Sequence, residues 1–459
     1  MDLHTVRAVY FIGAGGIGMS ALLRYFLSKG ICAGGYDRTP SELTEQLAAE
    51  GADIHYDDDP ARIADVFRDP AHTLVVYTPA VPETHAELRF FRTGGFATLK
   101  RAQALGMITK SARGLCIAGT HGKTTTSSMT AHLLRQSHVD CNAFLGGILK
   151  NCGSNLMCSA ASDLTVIEAD EYDRSFLQLS PFMAVITCAD PDHLDIYGTP
   201  EAYRESFEAF TSLIRPGGVL VIKAGIRVTP RLQSGVRLYT YSGSEGQGDI
   251  YARNIRIGGG KITFDFVSPF AEIRDILLGV PMEVNIENGV AAIALACLNG
   301  VRPDEIRRGM KSFAGVARRF DFRLKTDRLV FIDDYAHHPE EVRRCIRSVR
   351  TLYPDRKITG IFQPHLYSRT RDFVDGFAES LSLLDELILL DIYPAREEPI
   401  PGVTSQIIFD RVTLAEKTLC SKAQLPALIA AGSYQVLLTI GAGDIDRLVE
   451  PLGQLLEQK

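Results

Sequence analysis

The chain has 459 residues, of which 46% are hydrophobic and 23% charged, and its formal net charge at pH 7 is −6. This length exceeds what one ordinary hydrophobic core supports, so about three domains are expected. The negative charge argues against a general nucleic-acid binder, and no apolar run approaches the roughly 20 residues that span a bilayer. The nine cysteines are scattered without a Cys-x-x-Cys pair, which indicates reduced thiols in a cytoplasmic protein.

The first hundred residues alternate between strand-like and helix-like segments. An apolar, β-rich run at Val6–Ile12 precedes a helical spacing at Met19–Lys29 and a second short strand at Ile31–Tyr36. A helix at Glu42–Glu50 and a strand at Leu74–Tyr77 continue the pattern. Strands that alternate with helices predict a parallel sheet.

A glycine-rich loop follows the first of these strands. Gly13-Ala14-Gly15-Gly16-Ile17-Gly18 opens a helix, and Asp37 comes directly after the second strand. This is the context of a dinucleotide-binding loop, in which backbone N–H groups hold a pyrophosphate. Taken alone, the loop favours NAD and therefore a dehydrogenase. Because backbone amides do not recognise the base, a nucleotide-diphosphate sugar is the competing ligand, and a tight turn without a ligand is the third alternative.

A second glycine-rich loop occurs at Gly119–Thr126, with the sequence GTHGKTTT. It lies between the apolar run Leu115–Ala118 and a helix-like segment at Ser127–Arg135. A loop in this position directs several N–H groups at one point and binds phosphate. The lysine of such a loop reaches the β/γ-phosphates, and the following hydroxyl ligates Mg²⁺. Since the usual pattern has glycine where this chain has Ile117, the loop is a P-loop variant that predicts a nucleoside triphosphate.

Two polar runs follow the next strand-like segments. They are Glu168–Asp173 and Asp190–Asp195. Parallel-sheet domains bind ligands at the carboxyl ends of their strands. We therefore expect Glu168 to ligate a metal shared with the triphosphate, and His193 to belong to a second metal site or to act as a general base. A solvated acidic loop and a structural histidine are the alternatives.

After these runs the alternation of strands and helices is interrupted by a glycine-rich stretch. Tyr241–Phe270 is rich in glycine and alternating β-formers, which predicts a small antiparallel patch, and a helix is expected at Asn288–Leu298. If Asn285 and Asn288 have only a structural role, they cap that helix. A third series of strands comprises Leu329–Asp333, Ile358–Phe362, Glu386–Leu390 and Gln435–Ile440.

Three polar segments accompany this third series. Arg318-Arg319 marks its start, either as a solvated hinge or as a pair that neutralises a transferring phosphoryl group. Asp333–Pro339 follows a strand and contains adjacent histidines, of which at most one is expected to be functional. Gln363–Thr370 follows the next strand. There Arg369 either clamps a carboxylate bidentately or belongs to a polar surface loop.

In this order the segments resemble those of the Mur ligases, ATP-dependent amide-bond ligases of bacterial peptidoglycan synthesis. The resemblance covers nearly the whole chain and is strongest to members that join L-alanine to UDP-N-acetylmuramate. The motifs that carry it are Gly13–Ser20, Gly119–Thr126, Glu168–Phe176, Asp192–Tyr197, Gly315–Phe320, Asp333–Pro339, Gln363–Thr370 and Asp391–Ser405.

The resemblance implies an α/β protein of three domains. A Rossmann-like domain at residues 1–108 would hold the UDP sugar, and a central P-loop ATPase-like parallel-sheet domain at 109–318 would bind ATP. A C-terminal Rossmann-like α/β domain at 319–459 would hold the amino acid. The implied reaction forms an acyl phosphate from the lactyl carboxylate and the γ-phosphate, after which the amine of L-alanine attacks. The implied cofactors are ATP and Mg²⁺ or Mn²⁺, in a cytoplasmic monomer or weak homodimer without nucleic-acid or membrane partners.

The resemblance also implies roles for individual residues. The catalytic set is Lys123, Glu168, His193, Arg319 and His337. The ATP set is Gly119, Thr120, His121, Gly122, Lys123, Thr124, Thr125, Asn288, Arg319 and Asp334. The UDP-sugar set is Gly15, Gly16, Gly18, Asp37 and Thr78. The amino-acid set is Tyr335, His337, His365 and Arg369. The metal set is Thr124, Glu168 and His193.

The chain departs from the family pattern at three positions. Val284 stands where a histidine often precedes the adenine-side helix, Leu366 where a basic residue is frequent, and Cys188 where asparagine is common. A murein tripeptide recycling ligase that uses the same UDP sugar is the nearest alternative function. A dehydrogenase and a regulatory P-loop ATPase are more distant ones.

Overall fold

The computed structural model describes residues 5–78, 81–395 and 397–458, with Asp195 described by its backbone alone. The described strands form three sheets. By its internal contacts the chain divides into two compact units. The first unit comprises residues 1–253, 265–276 and 286–313, and the second comprises 254–264, 277–285 and 314–459.

The first sheet has five strands in the order β3-β2-β1-β4-β5, and every pair is parallel. Its strands are β1 Ala8–Ile12, β2 Cys32–Tyr36, β3 Asp53–His55, β4 Thr73–Tyr77 and β5 Ala97–Lys100. Its helices are α1 Ile17–Ser28, α2 Glu42–Ala49, α3 Ala86–Thr93 and α4 Arg101–Ser111. The order reverses direction at β1, which is the point where such sheets bind nucleotides.

The second sheet has ten strands in the order β15-β14-β13-β12-β11-β10-β6-β9-β7-β8. Its strands are β6 Arg113–Ala118, β7 Asn142–Leu149, β8 Ser154–Met157, β9 Leu164–Glu168, β10 Pro181–Ile186, β11 Val219–Lys223, β12 Arg237–Ser242, β13 Ile250–Gly258, β14 Lys261–Val267 and β15 Glu272–Leu277. The accompanying helices are α5 Lys123–Arg135, α6 Leu194–Tyr197, α7 Pro200–Thr211, α8 Val284–Leu298 and α9 Pro303–Ser312, with a 3₁₀ segment at Tyr172–Gln178.

The third sheet has six strands in the order β16-β17-β21-β18-β19-β20. Its strands are β16 Asp321–Lys325, β17 Val330–Asp334, β18 Ile358–Phe362, β19 Glu386–Leu389, β20 Glu416–Leu419 and β21 Val436–Ile440. Its helices are α10 Pro339–Leu352, α11 Tyr367–Asp372, α12 Val374–Leu381, α13 Gln406–Phe409, α14 Leu425–Ala431 and α15 Asp446–Glu457. Only β16 is antiparallel to its neighbour among the described pairs of this sheet.

The predicted α/β class with parallel sheets is confirmed, and β1, β17 and β18 are buried along their whole length. Strands covered on both faces read as continuous apolar runs, which is why the sequence located them. The predicted strands at Leu164–Glu168 and Ile358–Phe362 agree with β9 and β18 residue for residue.

The predicted patch at Tyr241–Phe270 proves to be part of the second sheet rather than a separate structure. Strand β12 pairs with β13 in parallel. The two-residue connection between β13 and β14 permits only an antiparallel hairpin. Within the described residues, no helix combines the length and apolar content that a membrane span needs.

Candidate active site

The glycine-rich loop after β1 contacts Asp37 and Thr78, which were predicted to belong to the same binding site. The N–H of Gly15 donates to Asp37 Oδ2 at 2.6 Å. Gly13 has φ +91°, and a Cβ there would lie 2.6 Å from Thr78 Cγ2. Gly16 precedes α1 without a side-chain cap, so first-turn N–H groups face the loop. The carboxylate that would hold a ribose hydroxyl in an NAD site is engaged with the loop itself.

A cavity of about 220 Å³ extends from this loop toward the end of β9. Its lining includes Gly18 and the charged side chains of Arg101, Glu168 and Asp170. Arg101 Nη2 donates to Asp170 Oδ2 at 3.1 Å, and a Cβ on Gly18 would meet Arg101 Nη1 at 2.4 Å. The cavity therefore has a cation on the glycine-loop side and carboxylates at the strand end.

The P-loop between β6 and α5 takes its shape from two glycines. Gly119 has φ +140°, and a Cβ there would lie 2.1 Å from Thr187 Oγ1. Gly122 has φ +85°, and its Cβ would lie 2.8 Å from Asn288 Oδ1. Because Gly122 directs the chain into the helix, α5 begins at Lys123 rather than at the predicted 127. The first-turn N–H groups of α5 thus face the loop.

Side chains from neighbouring elements hold the P-loop in place. Thr120 Oγ1 donates to Asp190 O at 2.7 Å and contacts Tyr203 Oη at 2.8 Å. Thr187 Oγ1 donates to His121 O at 2.5 Å. His121 is exposed, and Thr125 is half-buried in the first turn of α5. These bonds set the loop before any ligand arrives.

Lys123 lies at the mouth of this loop with its ammonium already bonded. Nζ donates to Gly119 O at 2.6 Å and to Glu171 Oε1 at 2.9 Å. Both side chains are buried or nearly so, at 14% exposed for Lys123 and 3% for Glu171. Burial raises the pKa of Glu171, and the adjacent Lys123 opposes that rise.

The predicted metal ligands Thr124 and Glu168 are neighbours. Thr124 Oγ1 donates to Glu168 Oε1 at 3.1 Å, and Gly146 N–H donates to Glu168 Oε2 at 3.1 Å. A hydroxyl and a carboxylate beside a P-loop are hard oxygen donors of the kind Mg²⁺ prefers. In the ranges that the structure describes, no three His, Cys, Asp or Glu side chains form a cluster able to hold a metal. The donor set therefore fits an ion that also takes ligands from a nucleotide.

His193, the third predicted metal ligand, lies just before α6 in the left-handed conformation at φ +52°. Its ring packs edge-on against Tyr172, with centroids 5.2 Å apart. Asp192 Oδ1 accepts the N–H of His193 at 2.7 Å. A non-glycine residue at positive φ is strained, and such strain concentrates at functional sites.

Asn288 was predicted either to cap helix α8 or to contact the nucleotide, and its side chain lies against the P-loop. Thr126 Oγ1 donates to Asn288 Oδ1 at 3.2 Å, and both side chains are buried. Asn285 Nδ2 donates to Val280 O at 3.2 Å. Val284, the departure from the family pattern, begins α8 and is 36% exposed.

In the second unit, Asp334 and the predicted arginine pair gather at the end of β17. Asp334 accepts N–H groups from Phe320 at 2.7 Å and from Ala336 at 2.8 Å. Burial raises the pKa of Asp334 to about 6, and the nearby Arg319 opposes this. The guanidinium of Arg319 lies 5.3 Å from the centre of the Tyr335 ring.

The predicted amino-acid residues also form one cluster in the second unit. Ring centroids of Tyr335 and His337 are 5.3 Å apart, and those of His337 and His365 are 6.2 Å apart. Arg369 Nη1 donates to His365 Nδ1 at 3.0 Å. His337 Nδ1 donates to Tyr335 O at 3.0 Å. The four residues belong to two separate motifs, and the structure brings these motifs into contact.

Both histidines of this cluster are held neutral. Burial lowers the pKa of His337. Burial, the Arg369 guanidinium and His337 lower the pKa of His365 to about 4. Neutral imidazoles next to arginines leave the positive charge of the cluster on the guanidinium groups, which favours a carboxylate ligand.

Sequence reasoning missed several residues that complete these clusters. Glu171 lies within the acidic run Glu168–Asp173 but was assigned no role. Arg101 belongs to no recognisable motif, so nothing in the sequence was a reason to select it. Tyr393 stacks on His365 with centroids 5.8 Å apart. Glu397 accepts the N–H of Ser368 at 2.9 Å. Tyr393 and Glu397 lie in the family-like run that includes Arg396, which falls outside the described residues.

Three family models match the chain in series. The model described as Mur ligase family, catalytic domain, matches residues 8–113. The Mur ligase middle domain matches residues 117–296, and the domain described as Mur ligase, glutamate ligase domain, matches 318–443.

Named relatives are similar over the whole length of the chain. The UDP-N-acetylmuramate–L-alanine ligase of Parabacteroides distasonis is 70% identical over 99% of this chain and 98% of its own. The enzyme of the same name from Phocaeicola vulgatus is 62% identical over both full lengths. The crystal structure of UDP-N-acetylmuramate–alanine ligase from Thermotoga maritima superposes with a TM-score of 0.81, at 27% identity, covering 98% of this chain and 99% of that one. On this evidence the chain belongs to the Mur ligase family.

Proposed function

We propose that this chain is an ATP-dependent ligase that joins L-alanine to the lactyl carboxylate of UDP-N-acetylmuramate in peptidoglycan precursor synthesis. The observation that carries the proposal is the 70% identity, across 99% of the chain, to an enzyme named for that reaction. The P-loop with Lys123 and the neighbouring Thr124–Glu168 pair supports it, because both suit a nucleoside triphosphate.

The proposed division of labour follows three domains at residues 1–108, 109–318 and 319–459. The first sheet, with its glycine-rich loop, takes the UDP sugar, and Gly15, Gly16 and Gly18 face the pyrophosphate. The second sheet takes ATP on the P-loop. The third sheet presents L-alanine from the cluster of Tyr335, His337, His365 and Arg369.

The proposed chemistry begins with activation of a carboxylate, which is a poor electrophile until one oxygen becomes a good leaving group. The lactyl carboxylate attacks the γ-phosphate, ADP leaves, and an acyl phosphate forms. Two anions must approach each other in this step. Lys123 and Arg319 supply positive charge where negative charge develops. The alanine amine then attacks the acyl carbon, and phosphate leaves from the tetrahedral intermediate.

Other residues position the nucleotide and the alanine for these steps. Asn288 and Asp334 contact the nucleotide side, and Arg369 holds the alanine carboxylate as a bidentate partner. Arg369 is already oriented by its bond to His365 at 3.0 Å. His337, kept neutral by burial, accepts the proton that the alanine nitrogen loses as it bonds to the acyl carbon.

A divalent cation, Mg²⁺ or Mn²⁺, completes the proposal. Thr124, Glu168 and His193 are the residues that would hold it. When bound, such an ion neutralises phosphate charge and polarises the phosphoryl group. Since ATP and a UDP-activated sugar are the proposed substrates, the reaction belongs to the cytoplasm.

The test is phosphate release by purified protein with ATP, UDP-N-acetylmuramate and a panel of amino acids. Turnover is expected with L-alanine and not without the UDP sugar. Turnover with the murein tripeptide but not with L-alanine would instead identify a recycling ligase. Turnover independent of any acceptor would identify a regulatory ATPase, and tight NADH binding in a fluorescence titration would favour a dehydrogenase.

A further inference from the structure

Glu171 is a buried carboxylate that the proposed chemistry does not use. It lies between β9 and the 3₁₀ segment Tyr172–Gln178, and its side chain is 3% exposed. Removing a carboxylate from water is costly unless a partner compensates it. The partner of this carboxylate is the Lys123 ammonium.

The Lys123 ammonium has three N–H donors, and its contacts differ in length. Nζ donates to Gly119 O at 2.6 Å and to Glu171 Oε1 at 2.9 Å. The remaining contact, to Thr120 O, is 3.4 Å long, which is beyond the usual hydrogen-bond range. Nζ also lies 2.8 Å from Glu171 Oε2. Gly119 O and the Glu171 carboxylate therefore fix the ammonium, and the long contact to Thr120 O is the one that a ligand oxygen can replace.

The backbone of Glu171 is tied to the same loop through two buried tyrosines. Tyr197 Oη donates to Glu171 O at 2.5 Å. The Tyr197 ring packs on Tyr203 with centroids 4.8 Å apart, and Tyr203 Oη contacts Thr120 Oγ1 at 2.8 Å. Glu171 and the P-loop are therefore held in one network, so the distance from its carboxylate to Lys123 is set by the fold.

The residues that follow Glu171 are strained in a way that supports this placement. Asp173 and Arg174 have φ of 51° and 54°, a left-handed conformation that costs about 1–3 kcal/mol at non-glycine residues. Arg174 lies over the Tyr197 ring at 4.5 Å, and Asp173 pairs with Lys100 at 3.0 Å. These contacts hold the turn that brings Glu171 back to the loop.

We propose that Glu171 is a positioning residue: it fixes the Lys123 ammonium in the P-loop so that the ammonium faces the γ-phosphate during transfer. The proposal rests on the ATP-dependent ligase function proposed above. A lysine is a flexible point charge on a four-carbon stem. A fixed acceptor removes the wrong orientations before the reaction and so acts on the transition state rather than on ATP binding.

The test compares Glu171→Met with Glu171→Gln, which have nearly the same volume and differ in whether Lys123 keeps an acceptor. Glu171→Met is expected to lower kcat about thirtyfold while KM for ATP changes less than about threefold. Glu171→Gln is expected to recover most of that loss. Glu201→Ala, at an exposed surface pair on α7, is the control and should behave as wild type.

Melting temperatures accompany the kinetics, and Glu171→Ala replaces the methionine variant if that variant does not fold. A kcat within about twofold of wild type in Glu171→Met would overturn the proposal. So would equal losses in the Met and Gln variants, or a loss confined to KM. Wild-type protein without L-alanine-dependent turnover would overturn the ligase function itself, and the role of Glu171 with it.

Discussion

At the scale of single residues, function depends on where charges are held before any ligand binds. Lys123 is bonded to Gly119 O and to Glu171, while His337 and His365 are kept neutral beside Arg369. Each arrangement costs free energy in the ligand-free fold. That cost is consistent with sites built for the anionic groups of the proposed substrates.

Lys123→Ala is expected to lower the rate of amide formation by about a thousandfold, because it removes a cation from the developing phosphoryl charge. The measurement is L-alanine-dependent phosphate release. The protein should stay folded, since Glu171, whose pKa burial already raises, can take up a proton once Lys123 is gone. Lys311→Ala, at an exposed site on α9, is the matched control. Near-normal turnover of Lys123→Ala would refute the assigned role.

A second residue-scale prediction concerns Glu87, which is remote from the P-loop. Its side chain is fully buried, and it accepts a hydrogen bond from Tyr10 Oη at 2.8 Å. Burial raises the pKa of Glu87 to about 8. Its second carboxylate oxygen lies 3.2 Å from His55 Nε2, and burial lowers the pKa of that histidine. Tyr10 Oη also lies 2.7 Å from His55 Nε2, so Glu87, Tyr10 and His55 form one buried hydrogen-bonded group.

The sign of the pH effect follows from the raised pKa of Glu87. The folded protein keeps a proton that the unfolded chain releases near pH 4.5, so stability is greatest at low pH and falls as pH rises toward about 8. Glu87→Gln should remove about 3–4 kcal/mol of that pH dependence between pH 5 and 8. Urea unfolding at both pH values measures it, with Glu45→Gln on the exposed face of α2 as control. An unchanged slope in Glu87→Gln would contradict the prediction.

At the scale of elements, the junction between the P-loop and α5 is the most constrained feature of the first unit. Gly122 has positive φ, and its Cα faces Asn288 from α8. Any side chain at this position meets both a backbone penalty and a collision. The start of α5, and with it the direction of its N–H groups, depends on this glycine.

Gly122→Ala is accordingly expected to weaken ATP binding by about tenfold or more and to destabilise the fold by about 1–3 kcal/mol. Gly225→Ala is the matched control, because Gly225 has φ +80° and no atom within 4 Å of the added Cβ. It carries the same backbone penalty without the collision. Calorimetric titration with ATP separates the two effects. Equal ATP affinity in both variants would show that the Asn288 contact is unimportant.

At the scale of the whole molecule, the proposed reaction needs three ligands that three separate sheets provide. Enzymes of this kind commonly close around their substrates and exclude water. We predict that the radius of gyration in small-angle X-ray scattering falls by about 1 Å when a nonhydrolysable ATP analogue and UDP-N-acetylmuramate are added together. Either ligand alone is the control and should produce a smaller change. No compaction with both ligands would count against closure.

The sequence located strands and phosphate loops well because their signals are local. A buried parallel strand is an uninterrupted apolar run, as at β9 and β18. Glycines before a helix report a phosphate loop through backbone geometry alone. Short strands at sheet edges gave weaker signals, and β3, β5, β16 and β20 were not predicted because half-exposed strands lack an apolar run. Two strands inside the second sheet, β7 and β11, were also missed, although β11 is an apolar and largely buried run.

By itself, then, the sequence determined the α/β class, the two glycine loops and the motifs that mark the family. Only the tertiary structure decided which side chains meet: Asp37 with Gly15, Glu171 with Lys123, and His365 with Arg369 and Tyr393. The physical reason is that loop conformation follows from neighbouring residues, whereas a hydrogen bond between distant segments depends on how sheets and helices bring them together. The P-loop motif was enough to predict that Lys123 supplies positive charge to the phosphates. The carboxylate that holds it in place was visible only in the fold.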